Sequence, residues 1–320
     1  MKLETFYKEV VKKGIEFDVR SKNRITDLLK AEKEKFDKLD KLHQSFFDMD
    51  RLWNPFADTR ILYGDMEKEI TTVAVGVDME AAELLVVDKL NSKGKNIDLV
   101  IAHHPEGKAY ARFYDVMDLQ ADMFALAGVS ISVSENLTKE RKWSVARRVH
   151  AANHQRSVDI AKLLDLNFMC MHTACDNLAY DYLRKLFDNK KPGTLNEILK
   201  LLLNIPEYVC AAKQNNAPVI TVGSEQARCK NIHVEFTGGT EGSKDIYKEL
   251  SRCGIDTIVA MHQSEEHYKM CKEQNINVIV ASHIASDNLG INRMLDFMEE
   301  KGKKLKVYEL AGFRRIKRNK

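Results

Sequence analysis

The stretch Asp98-Leu99-Val100-Ile101-Ala102-His103-His104-Pro105-Glu106-Gly107 constrains this chain more than any other. Four apolar residues in a row predict a short buried strand. The run stops on two adjacent histidines and on Pro105, whose fixed φ and missing N–H end a strand. Successive strand side chains point to opposite faces, but at a strand end that turns into a loop two rings can converge on one pocket. One buried, hydrogen-bonded histidine beside one exposed histidine is the plain reading. A metal site is the other, since histidine is the commonest metal ligand.

The pattern around that strand is α/β. Thr71 to Val77 is rich in β-branched residues and predicts a strand. Asp78 is placed to cap a helix from Met79 to about Ser92, which Gly94 ends. A strand, a helix and a strand of this length imply a right-handed parallel crossover. Ligands in open α/β sheets collect beyond the carboxyl ends of the strands, which is where His103 and His104 sit.

Residues 1 to about 65 predict a peripheral helical extension, with Leu28, Leu29, Phe36, Leu39 and Leu42 near helical spacing in a charged background. Residues 66–320 predict the α/β body, interrupted at about 108–166 by a basic, mostly helical insert with a short strand at Ser130 to Ser134. Further strands are expected at Asn167 to Met171, Pro218 to Val222, Ile232 to Phe236, Asp256 to Ala260, Asn277 to Ala281 and Lys304 to Leu310. Thr194-Leu195-Asn196-Glu197 has the form of a capping box. Thr237-Gly238-Gly239-Thr240-Glu241-Gly242-Ser243 permits close backbone approach to a ligand, but no Gly-Lys-Ser/Thr makes it a P-loop.

Composition narrows the function classes. The 320 residues are 44% hydrophobic and 30% charged, an ordinary globular balance, and no window approaches a membrane span. Six cysteines show no C-x-x-C spacing, which points to reduced thiols, a cytoplasmic chain and no cysteine-rich zinc site. A net charge of +3 implies no strong polyanion preference, so nucleic acid is not an expected partner. The basic tail Arg314 to Lys320 reads as a solvated end.

Three strand ends offer ligands: His103 and His104, then Asp176, then His283 with Asp287. Buried charges are costly unless paired or metal-bound, so an apolar core does not favour aspartates among imidazoles. Three histidines and two carboxylates suit a dinuclear site for first-row divalent ions. Asp176 is the better bridging candidate. His172 is expected to orient a ligand, Cys175 to be an inert buried thiol and Glu106 to face solvent. His267 is expected on a helix near the same surface, as a proton shuttle.

Ala102-His103-His104-Pro105, His172-Thr173-x-x-Asp176, Thr237-Gly238-Gly239, the helical His267 and Ser282-His283-x-x-x-Asp287 occur in the order seen in a known family. The chain resembles the Nif-three family (named for Ngg-one-interacting factor three), dinuclear metal centre proteins also described as GTP cyclohydrolase 1 type 2 homologs. The resemblance covers residues 70 to 310. It implies two α/β lobes with mixed sheets around a dinuclear site, with the helical extension added at the N-terminus. It implies two divalent ions (zinc, manganese, iron, cobalt or nickel) on His103, His104, Asp176, His283 and Asp287. It also implies a toroidal homohexamer with its sites facing an internal cavity. This chain departs from the family in carrying Asp287 where glutamate is usual, and His262-Gln263 where an acidic residue usually precedes the helical histidine.

Two functions follow. One is a metal-dependent hydrolase of a small phosphorylated or nucleotide-like substrate, in which uncompensated metal charge favours hydroxide and an anion. The other is a non-catalytic metal-binding oligomeric scaffold or regulator whose partners are proteins or nucleic acid.

Overall fold

The computed structural model describes residues 1–301 and 304–318. The chain opens with α1 (Leu3–Glu16), α2 (Lys22–Asp37) and α3 (Lys41–Ser45). It then builds a first lobe from β1 (Thr59–Tyr63), β2 (Thr72–Gly76), α4 (Ala81–Ser92) and β3 (Leu99–Ala102). The helical insert follows as α5 (Gly107–Ala111), α6 (Asp118–Leu126), α7 (Ile131–Val149) and α8 (Arg156–Leu163), before β4 (Phe168–Met171) and the long α9 (Thr173–Lys190). The second lobe contains α10 (Leu195–Leu202), α11 (Pro206–Ala212), β5 (Val219–Val222), β6 (Ile232–Glu235), α12 (Ile246–Arg252), β7 (Thr257–Ala260), α13 (Glu265–Glu273) and β8 (Asn277–Val280). Finally α14 (His283–Lys301) and β9 (Lys306–Glu309) return to the first lobe.

Both sheets are mixed. The first has the order β1-β4-β3-β2-β9, with only β1 antiparallel to its neighbour. The second has the order β5-β8-β7-β6, and its edge strand β5 is the antiparallel one. β2, β3 and β4 are continuous apolar runs because helices cover both of their faces. Val73, Val75, Leu99, Ile101 and Met169 face a core shared with α1, α9 and α14. Their alternates Ala74, Val100, Phe168 and Cys170 face α4 and α8.

The middle layer is tight. A Cβ on Gly290 of α14 would lie 2.5 Å from the Cys175 carbonyl oxygen of α9, so these two backbones meet with nothing between them. A Cβ on Gly14 of α1 would lie 2.7 Å from the Ala174 Cβ. The N-terminal turn of α9 is therefore packed against both α1 and α14.

Four expectations change. The extension is not peripheral throughout: Leu3, Phe6 and Val10 of α1 are fully buried, because its apolar residues form one stripe against the first sheet. Only α2 and α3 remain largely exposed, and residues 59–63 are strand β1. Ser130 to Ser134 is not a strand. Ser134, Thr138, Val145 and Val149 form the buried side of α7 at helical spacing, which overrides the local β-branched look. Asp78 does not cap α4. Glu80 does, through a reciprocal capping box with Glu83. The basic tail is not a free end as far as Arg318. Phe313 is buried, Arg315 reaches Asp296 at 2.6 Å, and Arg318 reaches Glu207 at 2.6 Å. Asn319 and Lys320 lie outside the described residues.

Candidate metal centre

Two structural devices assemble the centre. At the end of β3 the backbone N–H groups of His103 and His104 both donate to the Val77 carbonyl, at 3.1 and 2.9 Å. This draws the two rings together over β2, with centroids 5.4 Å apart. The other device is used twice. His172 and Asp176 are four residues apart at the start of α9, and His283 and Asp287 are four apart at the start of α14, so each pair shares one helix face. Ser282 makes the turn into α14 at φ 73°, a left-handed conformation that a non-glycine residue rarely adopts and that concentrates at functional sites.

The side chains converge. His103 Nε2 lies 3.2 Å from Asp176 Oδ1 and 3.4 Å from Asp287 Oδ1. Asp287 Oδ2 is 3.7 Å from His104 Nε2, and Asp287 Oδ1 is 3.6 Å from His283 Nε2. Asp176 Oδ2 is 3.6 Å from His172 Nε2. None of these contacts has hydrogen-bond geometry at its buried atoms: His103 Nε2, Asp176 Oδ1 and both oxygens of Asp287 are buried without a partner. Native proteins rarely leave such atoms unpaired, and four in one place fit a cation. Three ligand triads can be drawn through them: His103, His104 and His172; His104, His283 and Asp287; His103, Asp176 and Asp287.

The outward-facing nitrogens are held. His104 Nδ1 meets Asp78 Oδ1 at 2.6 Å, His172 Nδ1 meets Asp58 Oδ2 at 2.8 Å, and His103 Nδ1 faces the Met171 carbonyl at 3.2 Å. Thr173 Oγ1 donates to the same Asp58 oxygen at 2.6 Å. Holding Nδ1 this way leaves Nε2 as the donor atom, which is how metal-binding histidines are oriented. Burial alone would disfavour the charged form of His103, but Asp287 and Asp176 beside it raise its pKa well above the ordinary value. Burial would likewise raise the Asp287 carboxyl, yet His103, His283 and His104 bring it down to about 2.

His103, His104, Asp176, His283 and Asp287 are thus brought together as read from the sequence. His172 joins them with Nε2 inward, in the position of a ligand instead of an orienting group. Asp287 belongs to two of the triads, and Asp176, read from the sequence as the bridge, belongs to one while presenting Oδ1 to His103 and Oδ2 to His172. Three residues on from Asp287, Gly290 brings α14 against the backbone of α9. Asp58 and Asp78, which orient two of the rings, were not read as site residues. Asp78 had been assigned to a cap, and Asp58 lies just before a strand that was read as part of the helical extension. Cys175 is fully buried, and burial raises its thiol pKa, as expected of an inert residue.

A cavity of about 510 Å³ opens over the centre, lined from both lobes and from the insert. Glu106 lines it instead of facing solvent, and burial pushes its carboxyl up to about 7. Of the basic insert residues, Arg156 lines the cavity, and Arg141 donates to the Glu241 carbonyl at 3.0 Å. His267 is not part of the wall. It is buried behind the glycine-rich turn, with Nδ1 on Ser264 Oγ at 2.6 Å and Nε2 on the Gly242 carbonyl at 3.1 Å, so neither nitrogen is left to carry a proton. His262 occupies the place intended for it: it lines the cavity, its ring is 5.0 Å from that of His283, and its Nδ1 is 3.4 Å from Glu241 Oε1. The glycine-rich turn closes onto Gln120, which donates to the Gly238 and Thr240 carbonyls.

The fold has solved counterparts. A NIF3 superfamily protein from Sphaerobacter thermophilus superposes with a TM-score of 0.70 at 24% identity, covering 83% of this chain and 95% of that one. Reduced HcgD from Methanocaldococcus jannaschii gives 0.51 at 16% identity, covering 84% and 95%. No family model and no curated protein matches the sequence. The chain therefore has the NIF3 fold, and its buried histidine and aspartate groups are compatible with metal binding.

Proposed function

We propose that this NIF3-fold chain is a dinuclear divalent-metal hydrolase of a small phosphorylated or nucleotide-like substrate. The observation that carries the reading is the set of four buried, unpartnered atoms on His103, Asp176 and Asp287 beneath an open cavity. His103, His104, His172, Asp176, His283 and Asp287 would hold the ions. Two bound ions would lower the pKa of a water and stabilise the charge that develops on the attacked group. The chain's own residues do the rest. Arg156 is placed to meet an anionic oxygen of the substrate. His262, with Nδ1 directed to Glu241, keeps Nε2 toward the cavity to give or take a proton, a task imidazole commonly performs.

Elemental analysis of metal-loaded protein, paired with turnover of phosphate monoesters and nucleotides, tests the reading. The wild type should hold close to two ions per chain and Asp287→Ala about one or fewer. His262→Ala should keep its ions and lose roughly a hundredfold or more in rate, the scale of general acid–base removal. Unchanged metal content in Asp287→Ala, or full turnover in His262→Ala, contradicts the assignment.

A further inference from the structure

The cavity has a second wall that the metal centre does not use, built from α6, β6 and the glycine-rich turn. Gln120 and Phe124 lie one helical turn apart on α6 and both line the cavity. Gln120 is 2% exposed. Its Nε2 donates to the Gly238 carbonyl at 2.9 Å and to the Thr240 carbonyl at 2.6 Å, which uses both amide hydrogens. The amide orientation is therefore fixed, and the atom left over is Oε1, which is buried and has no partner. Gly242 keeps the adjoining space clear. A Cβ there would lie 3.1 Å from Gln120 Oε1 and 3.2 Å from the tip of the Phe124 ring.

β6 meets α6 at this wall and brings a second such atom. Glu235 Oε2 accepts from the Tyr247 hydroxyl at 2.9 Å, but Oε1 is buried without a partner. On the same strand His233 has its ring 5.9 Å from that of Phe124, and its Nε2, also buried without a partner, stands 3.9 Å from Oε1, beyond hydrogen-bond distance. Among the described residues no lysine or arginine pairs with Glu235. Burial accordingly pushes its carboxyl up to about 7. Outside the metal centre the lining also carries Glu80, Glu106 and Glu241, with Arg156 as its one arginine and His154 and His262 as its histidines.

Two buried acceptors on α6 and β6, in a carboxylate-rich wall that Phe124 also lines, call for a donor. An unmade hydrogen bond to a buried acceptor is costly, and a donor from the ligand removes the cost for both. An anion would add repulsion and still leave both acceptors unmade. We propose that this wall is a subsite for a planar N–H-rich group of the ligand, an amidinium, a guanidinium or an amino-substituted ring, that donates to Gln120 Oε1 and Glu235 Oε1 beside Phe124. The proposal deepens the hydrolase reading and rests on it only for calling the occupant a substrate. The part of the substrate remote from the attacked bond then carries donors, while the attacked end carries the oxygens.

Benzamidine, benzamide and benzoate share one shape and differ in donors and charge, so they serve as probes, titrated calorimetrically into the metal-loaded full chain. Benzamidine should bind, and benzamide at least about tenfold more weakly, as expected on losing charge-assisted bonds. Gln120→Leu and Glu235→Gln should each weaken benzamidine by about tenfold or more with metal content unchanged. Circular dichroism confirms the fold, and either variant alone suffices if the other fails to fold. Benzamidine binding that neither variant alters, or benzoate binding equally and through the same two residues, overturns the subsite. The two readings fail separately. A chain without metal that still binds benzamidine through these residues loses the hydrolase and keeps the subsite. A chain with two ions that does not bind benzamidine does the reverse.

Discussion

At the scale of single residues, the site depends on side chains that touch no ion. Asp58 holds His172 and Thr173 at once, so Asp58→Ala frees the ring to rotate. Metal affinity should fall about 10- to 100-fold, the usual consequence of losing such a partner, and competition with a chromogenic chelator reads it. His233 and Glu235 give a second prediction. Burial lowers the His233 pKa to about 4, so between about 4 and 6.5 the unfolded chain binds the extra proton and stability rises with pH. Burial raises Glu235 to about 7, so between about 4.5 and 7 the folded chain binds the extra proton and stability falls with pH. In the wild type the two slopes oppose each other across their overlap. Glu235→Gln should uncover a melting temperature that climbs from pH 4.5 to 6.5, and His233→Gln one that declines. Thermal scans at those pH values check it, and parallel profiles in the two variants would contradict it.

At the scale of elements, the ends of strands were legible and their surroundings less so. β2, β3, β4, β7 and β8 announce themselves as short apolar runs, and the histidines that follow β3, β4 and β8 are adjacent in sequence to those runs. Asp58 carries no such signal, because its partner His172 is far away in the chain and nothing local marks the loop before β1. His267 misled because helical position was legible but the direction of its ring was not. Ser264 and the Gly242 carbonyl, which fix that ring, come from different elements. Asp287 and Gly290 sit on one helix, and Gly290 holds that helix close against α9. Gly290→Ala would place a methyl 2.5 Å from the Cys175 carbonyl oxygen, against backbone that cannot rotate away. Alanine gains up to about 1 kcal/mol in helix propensity. Overpacking costs about 1–3 kcal/mol and wins where the neighbour is rigid. The variant should melt lower than wild type and bind less metal, measured by calorimetry and elemental analysis. A higher melting temperature with full metal content would show that α14 has room to spare.

At the scale of the whole molecule, large apolar residues are left outside at several places, and three of them fall within an eight-residue stretch of the extension. Leu42, Phe46 and Met49 are exposed by 69%, 68% and 53% although each is large and apolar. We propose that they belong to contacts between copies of this chain in a closed oligomer of six. Light scattering should give a mass near six chains, and Phe46→Glu should lower it. A stable monomer at micromolar concentration contradicts the proposal. Among the described residues no helix is long and apolar enough to cross a membrane.

The ligands are also spread along the chain. His103 and His104 close the third strand of the first lobe, while His283 and Asp287 open the helix that follows the last strand of the second. During synthesis the first pair emerges long before the second, and no triad containing Asp287 can form until residue 287 has left the ribosome. The triad of His103, His104 and His172, by contrast, needs no residue beyond 172. Under the dinuclear reading the centre would be completed in two stages along the chain, the histidine triad first and the two triads that contain Asp287 last.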